Sequence, residues 1–182
     1  MAVTPPPDLR TERLLLRQWR HDDLAPFADL NADRRVMEHF PAPFSRAESD
    51  DMVDRLRAHF SAWGFGLWAV EVVGGPSFIG FAGLCRPRFE APFTPCVEVG
   101  WRLGAAHWGR GYATEAARAA VAFGFAHAGL EEIVSFTVPG NHRSRRVMEK
   151  LGMRHDPADD FDHPSLPAGH PLRRHVLYRL RA

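Results

Sequence analysis

The sequence predicts an α/β fold, a mixed sheet flanked by helices. Three observations carry that prediction. Residues 67–73 and 78–85 are apolar runs joined by Gly74-Gly75-Pro76, which reads as a hairpin and sets antiparallel pairing in the first half. Residues 96–103, 111–128, 133–138 and 141–151 alternate strand and helix patterns, which implies parallel pairing in the second half. The chain has 182 residues, 45% hydrophobic and 25% charged, enough to bury one core without staples. Residues 1–10, with Pro5, Pro6 and Pro7, read as an N-terminal arm, and residues 11–182 as a single domain.

The elements follow in order. Residues 13–19 (RLLLRQW) are an apolar run bounded by charge, a first strand. Asp22 or Asp23 then caps a helix with Leu24, Phe27 and Leu30 at helical spacing. Residues 33–39 read as a second short helical piece, broken by Pro41 and Pro43. Ser45 and Glu48 fit a capping box. Met52, Val53, Leu56, Phe60 and Trp63 then recur at helical steps until Gly64. The hairpin comes next, then a proline-bearing loop over residues 86–95. In the strand at 96–103 (CVEVGWRL), Val97, Val99 and Trp101 share one face, and Glu98, Gly100 and Arg102 share the other. An Ala-rich helix (111–128), a strand (133–138), a helix (141–151) and a short strand (153–155) follow. Residues 156–172 form a long polar loop before a last alternating strand, 175–180 (HVLYRL).

Charge and cysteine usage exclude several classes. Lys+Arg at 23 against Asp+Glu at 22 leaves a net charge of +1, which argues against a nucleic-acid binder. Cys85 and Cys96 match neither a disulfide framework nor a zinc site. The 10 histidines follow no ligand spacing, so no metal is expected. No apolar run reaches the ~20 residues of a membrane span. The N-terminus lacks the apolar segment of a signal peptide, and a cytoplasmic protein off the membrane is expected.

The chemistry concentrates in residues 108–116 (WGRGYATEA), between a strand and a helix start. Gly109 and Gly111 free the backbone to curl, so that several N–H groups point at one anion. The helix start adds unpaired donors and partial positive charge. Arg110 adds a cation. The ligand that fits is a phosphate or pyrophosphate; glycines serving the turn alone are the plainer alternative. The missing third glycine excludes a Rossmann fingerprint, and the missing Lys-Ser/Thr pair excludes a P-loop. A second cluster, residues 141–153 (NHRSRRVMEKLGM), opens another helix with Asn141 as its cap. Arg143, Arg145 and Arg146 there form either a solvated face or a second phosphate partner. In a parallel arrangement both helix starts lie at one edge of the sheet, where one ligand spans them.

Together these two runs resemble the GNAT acetyltransferase superfamily, above all its ribosomal-protein N-terminal (RimJ/RimL-like) branch. Trp108, Gly111 and Ala113 stand at the first, fourth and sixth positions of the family's acetyl-CoA motif. The resemblance implies a mostly antiparallel sheet splayed between its fourth and fifth strands, with the pantetheine arm of acetyl-CoA in the splay. It places Val99, Trp101, Leu103, Trp108 and Arg146 among the cofactor-binding residues. The pyrophosphate is expected on Gly109, Arg110, Gly111, Tyr112, Ala113 and Thr114. Asn141 is expected on the pantetheine and Ser144 near the sulfur. Trp108 replaces the family's Arg or Gln, so Arg110 must carry more of the phosphate contact. Met148 replaces a tyrosine that protonates the leaving thiolate in many members, which leaves Ser144 as the donor.

Acetyl transfer to an amine needs a base, because a lysine-like ammonium has a pKa near ~10.4. Glu98 lies in an otherwise apolar region, where burial raises its pKa. It is either a base acting through water or a structural glutamate bonding nearby backbone. A backbone N–H around Val99 or Gly100, exposed by a bulge, is expected to meet the oxyanion. Glu38, Phe40, Asp160, Asp162 and His163 are expected at the acceptor. The acids and histidine of residues 159–163 (DDFDH) would bind a cationic amine or supply the base in place of Glu98, with Asp162 paired to His163, unless this loop is solvated surface. The expected function is acetyl transfer from acetyl-CoA to a primary amine in a ternary complex. The alternative is a non-catalytic acyl-CoA sensor or scaffold. Acceptors from a protein α-amine or amino acid to a polyamine or aminoglycoside stay open, as does a homodimer.

Overall fold

The computed structural model describes residues 7–182. The chain runs β1 (Leu9–Arg10), β2 (Leu14–Arg17), α1 (Leu24–Ala32), α2 (Arg46–Trp63), β3 (Leu67–Val72), β4 (Gly80–Cys85) and β5 (Glu98–Leu103). It continues with α3 (Tyr112–Ala126), β6 (Glu132–Thr137), α4 (His142–Lys150), β7 (Arg154–His155), β8 (Phe161–Asp162) and β9 (Arg174–Arg181). The strands form a sheet in the order β1-β2-β3-β4-β5-β6-β9-β7, with β8 also on β9.

Pairing is antiparallel throughout except between β5 and β6. The parallel pairing expected of the second half is therefore confined to one join. That join has a single register pair, Glu98 opposite Val134, supported by Val134 N–H donating to the Val97 carbonyl at 2.9 Å. Past it the strands part. The splay expected between the fourth and fifth strands lies here between β5 and β6, because Leu9–Arg10 adds a strand at the N-terminal edge. Those two residues, read from sequence as the end of the arm, pair with Leu16 and Leu15. Residues 1–6 of the arm lie outside the described residues.

Two faces cover the sheet. Cross-strand pairs put Phe81 beside Ala69 and Arg102 on one face, where Phe27 of α1 packs 5.9 Å from Phe81. The other face carries Trp68, Ala82 and Leu84 and receives α3. Ala116, Ala117 and Ala120 are buried there, and their small side chains let the helix sit close. At Gly124 an added Cβ would lie 2.9 Å from the end methyls of Leu84 and Ile133, so any side chain there would have to displace them.

Local signals gave α2 its ends. Ser45 and Glu48 form the expected capping box, and Gly64 closes the helix in the left-handed region at φ 71°. Asp23 stands at the N-cap of α1, as read in sequence, but its side chain makes no capping bond to that helix. Its carboxylate takes both Arg17 terminal nitrogens, at 2.8 and 2.9 Å, in a pair almost sealed from solvent. Arg17 also reaches Glu71 and the Ser77 carbonyl, so one guanidinium ties β2, the start of α1 and the β3–β4 hairpin. Residues 33–39 form hydrogen-bonded turns rather than a helix. The Asp33 carboxylate takes the Arg35 N–H at 2.9 Å, which competes with helical bonding. No helix among the described residues is long and apolar enough to cross a membrane.

The Arg17–Asp23 pair generates a stability prediction. Asp23→Ala leaves a buried guanidinium short of its main partner and should cost about 3–5 kcal/mol. Urea denaturation checks it, and a loss below about 1 kcal/mol, the scale of an exposed pair, would contradict it.

Candidate active site

Two cavities open where β5 and β6 part. The first, about 300 Å³, runs between the start of α3, the groove face of α4 and the segment carrying Arg35, Glu38 and His39. The second, about 350 Å³, lies between Glu98 and Gly100 of β5, residues 135–137 of β6 and the segment from His163 to His175. His39, Trp101, Asn141 and Ser144 line both, so the cavities meet there.

The start of α3 is an anion cradle by geometry. Gly109 and Gly111 have φ of 73° and 82°, left-handed values that favour glycine. Gly111 is the N-cap and offers no side-chain acceptor, so the first-turn N–H groups are left for a ligand. Trp108, Tyr112, Ala113 and Thr114 line the same cavity, with Leu103. Arg13 braces the loop, donating to the Arg110 carbonyl at 3.0 Å and pairing with Glu115 at 2.6 Å. This brace, about a hundred residues away in sequence, carried no local signal.

Arg110, expected to supply the cation, does not line the cavity; its side chain is exposed. Arg143, Arg146 and Lys150 line it instead, at helical spacings that put them on one face of α4. Arg35, from the segment after α1, lines the same cavity. Arg145 turns away, to the Tyr178 hydroxyl at 3.2 Å and the Pro139 carbonyl at 3.1 Å. The Arg143 guanidinium lies 4.6 Å from the Trp108 ring, which gives that tryptophan a task at the motif's first position.

Asn141 caps α4 by accepting from Ser144 N–H at 3.2 Å, and its amide donates to the Thr137 hydroxyl at 3.0 Å. One amide hydrogen and one carbonyl lone pair remain for a ligand. The strand pattern on β5 decides what faces the gap. Since Val97 bonds β6, alternation turns the Val99, Trp101 and Leu103 backbones the same way. The β4–β5 register runs unbroken from Gly80–Leu103 to Cys85–Glu98, so the bulge expected near Val99 or Gly100 is absent.

On the opposite side of β5, Glu98 lines the second cavity beside Gly100. Burial pushes its carboxyl up to about 8; the Cys85 thiol, donating at 3.5 Å, pulls the other way. The buried Arg102 guanidinium donates to Asn31 at 2.6 Å and stacks 4.3 Å from the Phe40 ring. It thereby holds the turn segment over the site, a link invisible in sequence.

The acceptor residues divide. Phe40 and His163 line the second cavity, whereas Glu38 lines the first, 3.9 Å from Arg143. Asp160 and Asp162 line neither. Asp160 bonds His155 at 2.7 Å, and Asp162 lies near Arg173 and Arg174 rather than pairing with His163. Asp159 bonds Arg179 at 2.7 Å. Arg173, Arg174 and Arg179 around the last strand, with His155, hold these acids away from the cavity. Met148 is buried and lines the second cavity, and no tyrosine does.

Residues 13–154 match the acetyltransferase (GNAT) domain family. The chain belongs to the GNAT acetyltransferases. Among relatives of this GNAT chain, YkkB, an uncharacterized protein of Bacillus subtilis (strain 168), is 31% identical over 148 residues, covering 81% of this chain and 85% of that protein. The FsC-acetyl coenzyme A-N(2)-transacetylase of Aspergillus fumigatus is 33% identical over 162 residues, 85% of this chain and 68% of that protein. The acetyltransferase crystal structure from Agrobacterium tumefaciens str. C58 superposes with a TM-score of 0.77 at 30% identity, covering 97% of this chain and 95% of that one. RimJ of Mycobacterium smegmatis, solved in complex with CoA-disulfide, shares the GNAT fold with a TM-score of 0.73 at 20% identity, covering 100% of this chain and 90% of that one. This GNAT chain is an acyltransferase by family, with a mixed, mostly antiparallel sheet flanked by helices.

The Glu98 environment generates a linkage prediction. Its folded pKa of about 8 exceeds the ordinary 4.5, so the folded state holds the extra proton between them. This contribution is full below the ordinary value and is lost as pH rises through the folded one. Glu98→Gln removes the dependence, so the variant should gain stability relative to wild type from about pH 6 to about pH 9. Denaturation at both pH values checks it; a constant difference would show that Glu98 titrates normally.

Proposed function

We propose that this chain transfers the acetyl group of acetyl-CoA to a primary amine by direct attack while both are bound. The meeting of the two cavities carries this reading: a cradle with cations on one side, a half-buried carboxyl on the other, and Ser144 at the junction. Both belong to one domain, residues 11–182 extended by β1. The name of the similar Aspergillus fumigatus protein supports the donor and a nitrogen acceptor.

The first cavity takes the cofactor. The pyrophosphate lies on the N–H groups of residues 109–114, near Arg146. The pantetheine follows Val99, Trp101 and Leu103 as an added strand would. Asn141 bonds that arm, and Ser144 sits by the sulfur. The second cavity takes the amine, against Phe40 and His163.

The amine gives a proton to Glu98, directly or through water, and its nitrogen attacks the thioester carbon. A C–N bond forms and the carbonyl electron pair moves to oxygen. The Trp101 backbone N–H, which faces the gap beyond the last β5–β6 pair, holds that oxyanion. Collapse breaks the C–S bond, and the nitrogen's second proton passes to the leaving sulfur, so that the amide and the thiol form together. The Ser144 hydroxyl donates to the departing thiolate, whose thiol pKa near ~8.5 makes it a ready leaving group. The products are an N-acetyl amide and CoA. Nothing in this scheme calls on a metal, and we place it in the cytoplasm.

Thiol release from acetyl-CoA across an amine panel tests the reading. Release should depend on amine, and kcat/KM should rise with pH through an inflection near 8, the value burial imposes on Glu98. Glu98→Gln should lose that inflection and keep only the amine's own. An unchanged profile would leave Glu98 a structural role. Binding of acetyl-CoA with no amine-dependent release would favour the sensor.

A further inference from the structure

The second cavity has walls that bear on which amine it takes. Among the described residues Glu98 is the single carboxyl group lining it. The acids that would attract a polycation, Asp159, Asp160 and Asp162, are held by Arg179, by His155 and beside Arg173 and Arg174. The rest of the lining includes Phe136, Leu166 and Leu172, several hydroxyl groups, His39 at the junction with the first cavity, and two adjoining imidazoles, His163 and His175. The two rings lie 5.1 Å apart among Phe89, Phe136 and Phe161. Burial lowers the pKa of both, and His175 lowers that of His163 further, which keeps the pair uncharged near neutral pH.

The hydrogen bonds fix their tautomers. His175 Nδ1 lies 3.1 Å from the Arg173 carbonyl, which only accepts, so Nδ1 carries the hydrogen and Nε2 keeps a lone pair. His163 Nδ1 accepts from Ser165 N–H at 3.3 Å, so its hydrogen sits on Nε2. One amine therefore meets a carboxyl group and one imidazole lone pair. A second ammonium on the same molecule meets uncharged hydroxyls, rings and leucines but no second carboxyl group, and burying it without a carboxylate costs more than its methylenes return.

We propose that the acceptor is a primary amine on an apolar or aromatic body with no second positive charge, and that polyamines and aminoglycosides are rejected. This rests on the reading of the second cavity as the acceptor site. At about 350 Å³ the cavity suits a body the size of one aromatic side chain with its amine.

Thiol release is measured with benzylamine and phenethylamine against spermidine and kanamycin, and CoA-induced thermal shift is followed in parallel. The aromatic amines should show kcat/KM at least about tenfold above the polycations. Leu172→Asp, or Leu166→Asp if the first variant does not fold, adds a carboxylate to the wall and should narrow that ratio by raising spermidine turnover. Equal or faster turnover of spermidine by the wild type overturns the proposal. So does release with none of the four amines while CoA still raises the melting temperature, an outcome that leaves the acetyl-CoA reading standing. No shift from CoA at all overturns that reading, and this inference with it.

Discussion

One backbone register pair, Glu98 with Val134, joins two half-sheets that are each complete without it. β5 is paired with β4 along its length, and β6 with β9 along its length. Neither strand can swing to close the gap without breaking its other ladder. The β6-facing backbone of Trp101 is thus left without a strand partner. Backbone polar groups away from water call for hydrogen bonds. A ligand with its own amides, lying along β5, satisfies them as a strand would. The two cavities and the exposure of the α3 start follow from that parting.

Charge is distributed around the gap by the same logic. Cations gather on the cradle side, on one face of α4 and at Arg35. The Glu115 carboxylate in the first turn of α3 would oppose an anion there, but Arg13 and the Thr11 hydroxyl hold it. On the other side the acids are withdrawn into ion pairs with β9 and its neighbours, and the lining mixes rings and leucines with uncharged hydroxyls. The site is therefore polarised, an anion-binding half against a nearly neutral half. Arg102 sits at the boundary, a buried guanidinium among phenylalanines bound to Asn31, which in turn donates to Ser49. This chain fixes the segment bearing His39 and Phe40 against β5.

What the sequence disclosed was local. The capping box of α2, the hairpin at Gly74-Gly75-Pro76, and the glycines before α3 each act within a few residues, and the structure keeps all three. The faces of β5 were legible because strand alternation needs no partner to define it. Partner choice was not legible. Asp23 takes the N-cap position that its place suggested, yet its carboxylate is the buried mate of Arg17. Asp160 and Asp162 looked like acceptor acids, and arginines and a histidine nearby in space claim them. Arg110 stood inside the motif, yet the helical spacing of Arg143, Arg146 and Lys150 was the better guide to the groove. The length of the β5–β6 ladder is a tertiary property, so residue patterns alone placed a parallel join without showing that it would be one pair long.

The parting of β5 and β6 as a seat for the arm of CoA is open to direct measurement. Backbone amide exchange over residues 99–103 and 109–114 can be followed with and without CoA. Slower exchange in both segments on adding CoA, including the Trp101 amide that faces the gap, is the predicted result. Protection confined to residues 109–114, with 99–103 unchanged at saturating CoA, would mean that the phosphates bind while the gap holds nothing.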